Sequence, residues 1–226
     1  EHYKPQGPAD SIPKTLLSKY LSLADKVDSL TGFFIINKNP TGSKDPFALR
    51  RTALGVVRVL IEGKINLDIS KLIDVAIKAY IYSCRKKKLR HSFKEKEIKQ
   101  KVIFFLLERY ENLIKEGKKI DFSVYNSLIV NKKILNLLEV NTNGELLTNY
   151  VNSKEGKIFM SSIKRVINII NNDLFKTQEI KRPKVSLLTT KEELRLFELL
   201  NMPYKDLSLN NALSYLNKLS LPIRNF

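Results

Sequence analysis

Four groups of residues have types and spacings that could do chemistry. Asp25 and Asp28, with His2 upstream, could contribute to a metal site. Water activation by a bound metal needs several ligands, and the chain has only two histidines, His2 and His91. No complete metal-ligating set is expected. Asp25 and Asp28 are then read as solvated or capping groups. Cys84, the single cysteine, could be a nucleophile, but His91 lies in a dense basic run and is a poor base partner. No catalytic residue is predicted. Gly42, Ser43 and Lys44 suggest a phosphate loop, yet the GxxxxGK[ST] spacing is missing. Asp45 would also repel phosphate at the start of the following helix. That stretch is better read as a loop presenting Lys44 beside a helix presenting Arg50, Arg51 and Arg58. Arg51 and Arg58 are seven apart and share a helical face. The fourth group is Lys164, Arg165 and Asn168, with Lys164 and Asn168 one turn apart.

Charge favours the two cationic groups over the others. Lys and Arg number 40 against 23 Asp and Glu, for a formal charge of +17 and a pI near 9.8. A field of that sign draws polyanions by counterion release. Anionic membrane is the rival partner, but the sequence carries no long uncharged apolar stretch and no signal peptide, so no membrane association is expected. One cysteine excludes an internal disulfide framework and a cysteine-rich zinc site, as befits a cytoplasmic protein. Both ends, Glu1 and Leu221 to Phe226, read as cut from a longer chain.

The elements that must position these residues read as all-α. An apolar stripe at Leu16, Tyr20, Leu23, Val27, Leu30 and Phe34 predicts a helix from Ile12 to about Ile36. Asp45 as N-cap with Pro46 in the first turn starts a second, which stops at Gly63. Ser70 is expected to cap a third, to about Cys84. A fourth begins near Phe93, carries Val102, Phe104, Phe105, Leu107 and Tyr110 as core candidates, and ends at Gly117. Asp121 and Asn131 are read as caps of two short helices, with further helices over 144–153 and 157–172. Ile163, Val166, Ile167 and Ile170 form the expected buried side of the last of these. Val185 to Thr190 is extended or loop. Thr190 and Glu193 have the spacing of a capping box, and Ser208 caps a final helix to about Leu219. The basic run from Arg85 to Lys101, flanked by Tyr80, Tyr82 and Phe93, marks the expected division into two helical subdomains, 1–90 and 91–226.

Two stretches carry a family resemblance: Ala24 to Phe34, and Pro40 to Gly55 with its Asp45-Pro46-Phe47-Ala48-Leu49-Arg50-Arg51-Thr52-Ala53-Leu54-Gly55 core. Together they look like the most recognisable part of the β subunit of bacterial two-subunit glycyl-tRNA synthetase. Glu1 to Pro5, Lys164 to Ile169, and Leu216, Leu219, Pro222, Ile223 and Phe226 are similar to the same family. The resemblance implies that residues 1–90 resemble the C-terminal part of an HD-type domain. It implies that 91–226 resemble an anticodon-binding helical bundle, truncated at its C-terminus. Asp25 would match the last metal-ligating aspartate of HD phosphohydrolases. The resemblance further implies tRNA(Gly) as partner, and the residues read above as cationic surface, Lys44, Arg50, Arg51, Arg58, Lys164, Arg165 and Asn168, are then expected to contact RNA. It also implies a separate α subunit that completes a heterotetramer and carries ATP, Mg and glycine activation; no cofactor is expected on this chain. The alternatives are a metal-dependent HD-type phosphohydrolase fragment and a helical scaffold with incidental charge.

Overall fold

The computed structural model describes residues 1–87, 93–130, 135–171, 183–202 and 208–225. Among these every regular element is helical, with two isolated backbone bridges and no strand. The helices are α1 (Leu16–Ile35), α2 (Leu49–Glu62), α3 (Ile69–Lys86), α4 (Glu95–Gly117), α5 (Phe122–Val130), α6 (Leu137–Asn152), α7 (Lys154–Ile170), α8 (Lys191–Asn201) and α9 (Leu209–Asn225). A 3₁₀ turn covers Val185–Leu187. The all-α expectation holds.

The chain forms two compact units, Glu1–Glu145 and Leu146–Phe226. This division differs from the one expected at residue 90. The composition changes between α3 and α4, but the packing does not. α4 puts Val102, Phe105, Leu106 and Tyr110 into the interior and packs on α1, α2 and α3. Charged residues of both signs, Glu95, Lys96, Glu97, Lys101 and Glu108 among them, cover its outside, and a charge run is no barrier to burying the opposite face of the same helix.

In the first unit Leu23, Val27, Leu30 and Phe34 of α1 meet Ala53, Val56, Val57 and Leu60 of α2 and Ile69, Ile73 and Ile77 of α3, all buried. The α1 stripe is core only from Leu23 onward. Leu16 and Tyr20 are exposed at 59% and 45% because they lie in the first turns. Phe104 is likewise 71% exposed, and Leu106 takes the core place beside Phe105.

Local chemistry explains most of the ends. Thr15 caps α1 by accepting from Ser18 N at 3.1 Å. Asp45 does cap α2, but at a distance. Ala48 takes a left-handed conformation (φ 54°) that delays the helix to Leu49, and the Asp45 carboxylate then accepts from Leu49 N and Arg50 N at 2.8 and 2.9 Å. Asp68, not Ser70, caps α3 by accepting from Ser70 N at 2.7 Å. Residues 144–153 are not a separate helix. α6 runs through Gly144, whose missing side chain leaves room for Ile120. The Asn131 cap lies outside the described residues.

In the second unit α9 packs on α7 and α8. The capping box is present: Glu193 N donates to Thr190 Oγ1 at 3.2 Å, and Thr190 N donates to Glu193 Oε2 at 2.8 Å. Backbone N–H groups of Thr190 and Thr189 hold the Glu193 carboxyl below its ordinary value. α9 continues past Leu219, with Pro222 inside it. The expected buried side of α7 is only partly buried. Ile163 and Val166 are half-buried, while Ile167 and Ile170 are 49% and 47% exposed. α7 meets α9 through small residues instead: Ser162 Oγ donates to Ile158 O at 2.9 Å and approaches Ser220 O at 3.5 Å.

Candidate nucleic-acid interface

The first cationic group is built on the entry to α2. Thr41 and Lys44 exchange backbone hydrogen bonds of 3.1 and 2.9 Å around Gly42, whose φ of 53° suits glycine. The Arg50 guanidinium donates to the Gly42 carbonyl and ties this turn to the helix. Lys44 is exposed at the end of the turn. Arg51 is exposed, and its side chain forms no hydrogen bond or ion pair with the described residues. It lines a polar concavity of about 340 Å³ with Gln6, Asp25, Lys26, Ser29 and Thr52. The structure therefore gathers Lys44 and Arg50 at one turn and leaves Arg51 open on the neighbouring face.

Arg58 has a different place. Its Nη1 donates to the carbonyls of Gly7, Pro8 and Asp10 at 3.1, 2.9 and 2.8 Å. Its Nε and Nη2 donate to the two carboxylate oxygens of Glu62. With its side chain 12% exposed, it is committed to holding the N-terminal segment rather than presented to solvent. Sharing a helical face with Arg51 did not make it a surface cation, because the Glu1–Asp10 segment covers that end of the face.

Sequence reasoning missed two further residues that hold this segment. Ser22 Oγ donates to Lys4 O at 2.6 Å, and Lys26 Nζ donates to Tyr3 O at 3.0 Å. Lys26 is 5% exposed, and burial pushes its ammonium below the ordinary lysine value, opposed by Asp25 and Asp10. Its stem crosses α2 at Gly55, where an added Cβ would lie 2.8 Å from Lys26 Cε. The signal was available: Ser22 and Lys26 fall on the four-residue row that continues to buried Leu30.

Replacing Arg58 by alanine is expected to cost about 2 kcal/mol, since charged hydrogen bonds contribute about 1.5–3 kcal/mol each and the carbonyls of Gly7, Pro8 and Asp10, two of them part-buried, lose their donor. Hydrogen exchange should locate the loss in residues 1–14, with helical content retained. Unchanged protection there would refute the clamp.

The second group lies on α7. Lys164, Arg165 and Asn168 are exposed and line one open concavity of about 680 Å³ with Ser161 and Ile169. Arg165 Nη1 reaches Arg224 O of α9 at 3.4 Å. Ser153 caps the helix by accepting from Gly156 N at 3.0 Å. All three expected residues are thus brought together on one rigid element.

The aromatic residues of the first unit are placed differently. Tyr110, expected in the core, is 0% exposed, donates to Asn141 Oδ1 at 3.3 Å and packs edge-on to Tyr125, so it is a core residue. Burial pushes its hydroxyl well above the ordinary tyrosine value, and pushes Tyr125 up to about 12. Tyr80 is half-buried, edge-on to Phe93 at 5.9 Å. Cys84 is buried. Tyr204, Arg90, His91 and Phe226 lie outside the described residues. Among the described residues no three His, Cys, Asp or Glu side chains are grouped as metal ligands, and no helix is long and apolar enough to cross a membrane.

Fold and surface together define an all-helical, strongly basic protein that carries free cations on rigid helices. Comparison with known proteins places it more closely. The family model described as Glycyl-tRNA synthetase beta subunit matches residues 1–129. The glycine–tRNA ligase beta subunit of Rickettsia bellii (strain OSU 85-389) is 34% identical over 230 residues, covering 100% of this chain and 31% of the relative. That of Rickettsia africae (strain ESF-5) is 33% identical over 234 residues, covering 100% and 32%. The chain belongs to the glycyl-tRNA synthetase beta subunit family. It spans about a third of the length of the relatives it matches.

Proposed function

We propose that this chain is a tRNA-binding part of the β subunit of glycine–tRNA ligase and does not itself activate glycine. One observation carries the reading: Lys164, Arg165 and Asn168 converge on a single open concavity of a rigid helix, in a chain of formal charge +17. Two cations and an amide suit phosphate and 2′-hydroxyl groups, which RNA offers in its shallow groove. Lys44 and Arg51 offer a second set of backbone contacts. Arg50 contributes mainly by holding the Gly42 turn that presents Lys44. Family membership supports tRNA(Gly) as the RNA, an α subunit as partner in a heterotetramer, and ATP, Mg and glycine chemistry on that subunit. It also supports an HD-type origin for the first helices and an anticodon-binding-like role for those around α7. A cytoplasmic location follows from the same reading.

The metal-dependent phosphohydrolase alternative fits poorly. Asp25 lies on the wall of two concavities, one of which Asp28 also lines, but no third ligand completes a set with them among the described residues. The test is titration of tRNA(Gly) and a non-cognate tRNA over a salt series. Binding whose affinity falls steeply and linearly on a log–log salt plot is expected. Absence of saturable binding at low salt would overturn the proposal, and equal binding of both tRNAs would overturn any role of this part in discrimination.

A further inference from the structure

The outward face of α3 carries a feature that neither cationic group uses. Lys71, Val75, Lys78, Tyr82, Arg85 and Lys86 are all exposed, and their steps of four, three, four and three residues, with Lys86 adjoining Arg85, put them in one narrow stripe along the helix. Lys71, Lys78 and Arg85 recur every seven residues, about 10 Å apart at 1.5 Å per residue. Val75 and Tyr82 stand between them, 67% and 68% exposed. None of the four cations forms an ion pair or side-chain hydrogen bond with the described residues. The nearest carboxylate on the helix, Asp74, lies at the edge of the stripe and is paired with Lys99 of α4 at 2.6 Å. Burial explains the inner face of α3, where Ile69, Ile73, Ile77 and Ile81 pack, but not a bare tyrosine set in a row of unpaired cations.

We infer that the outer face of α3 is a track for single-stranded RNA, with an unpaired base stacked on Tyr82 and backbone phosphates along Lys71, Lys78, Arg85 and Lys86. The inference rests on the tRNA-binding reading and adds to it a subsite and a preference for unpaired nucleotides. Stacking on an aromatic ring is indifferent to base identity, and lysines and arginines on either side follow the backbone. A helix face with cations alone would take any polyanion. The exposed ring is what selects an unstacked base over a duplex, whose bases present no free face.

The experiment measures fluorescence anisotropy of the full chain with a labelled unstructured RNA oligonucleotide, with the matched duplex and with tRNA(Gly). Tyr82→Ala is expected to weaken single-stranded binding roughly five- to hundredfold and leave duplex binding unchanged. Tyr82→Trp should retain it. Lys78→Glu/Arg85→Glu should weaken both forms and flatten the salt dependence. All these side chains are exposed, so folding is expected to be intact, and circular dichroism checks it. If Tyr82→Ala and the charge reversal leave every affinity unchanged while Lys164→Ala/Arg165→Ala weakens tRNA binding, the track is overturned and the broader reading stands. If no RNA binds the unaltered chain, both fall. Equal losses for single strand and duplex in Tyr82→Ala would overturn the stacking role.

Discussion

Gly156→Ala is expected to destabilise the second unit by about 3 kcal/mol, with the loss centred on α6 and α7. A Cβ at residue 156 would lie 1.9 Å from Tyr150 O, 2.7 Å from Tyr150 C and 3.1 Å from Val151 Cα. These are backbone atoms, and they are fixed by their own bonds. Ser153 N and Ser153 Oγ both donate to Tyr150 O, at 3.0 and 2.7 Å, and Ser153 Oγ accepts from Gly156 N at 3.0 Å. The turn between the helices can therefore make room only by giving up its cap. In an open helical position the same change would stabilise by up to about 1 kcal/mol, because alanine has less chain entropy to lose. Gly32 is such a position: it lies inside α1 and nothing stands within 4 Å of its would-be Cβ. Gly32→Ala is thus the control, with the opposite sign. Thermal unfolding and amide exchange of both variants decide it. Gly156→Ala as stable as Gly32→Ala would mean that the close approach is not there.

The second large effect concerns RNA. Lys164→Ala/Arg165→Ala is expected to flatten the log–log salt slope of tRNA binding by roughly one to two units and to weaken binding by on the order of tenfold at moderate salt. Each cation that neutralises a phosphate releases about one counterion, so the slope counts contacts where affinity alone does not. Lys44→Ala/Arg51→Ala should give a smaller loss, since Lys44 stands at the end of a turn and only Arg51 is on a helix. Both pairs are exposed, so neither should move the unfolding transition. Arg50 and Arg58 are poor probes of RNA contact, because Arg50 holds the Gly42 turn and Arg58 the N-terminal segment. An unchanged slope in both double variants, with folding intact, would show that these side chains do not touch phosphate. A loss of affinity that is the same at all salt concentrations would point to base or hydroxyl contacts, with Asn168 the next residue to replace.

The helical class was legible in the chain, because three- and four-residue apolar spacing persists along it and caps such as Asp45, and Thr190 with Glu193, satisfy groups only a few residues away. Those are local bonds, and local bonds are written in local sequence. The clustering of Lys164, Arg165 and Asn168 was equally legible, since one turn of helix separates the first from the last. Tertiary structure decided what happens at range. Arg51 and Arg58 look equivalent in the sequence, yet the N-terminal segment folds over only Arg58 and takes its guanidinium. Phe104 and Leu106 are both apolar, and the direction from which α1, α2 and α3 approach α4 selects Leu106 for the interior. Tyr110 and Tyr82 are both tyrosines beside charged residues, and only packing buries one and leaves the other bare. The change of composition after Cys84 is a surface property, whereas a compact unit is set by which apolar faces meet. α4 therefore joins the helices before it despite the basic run between them.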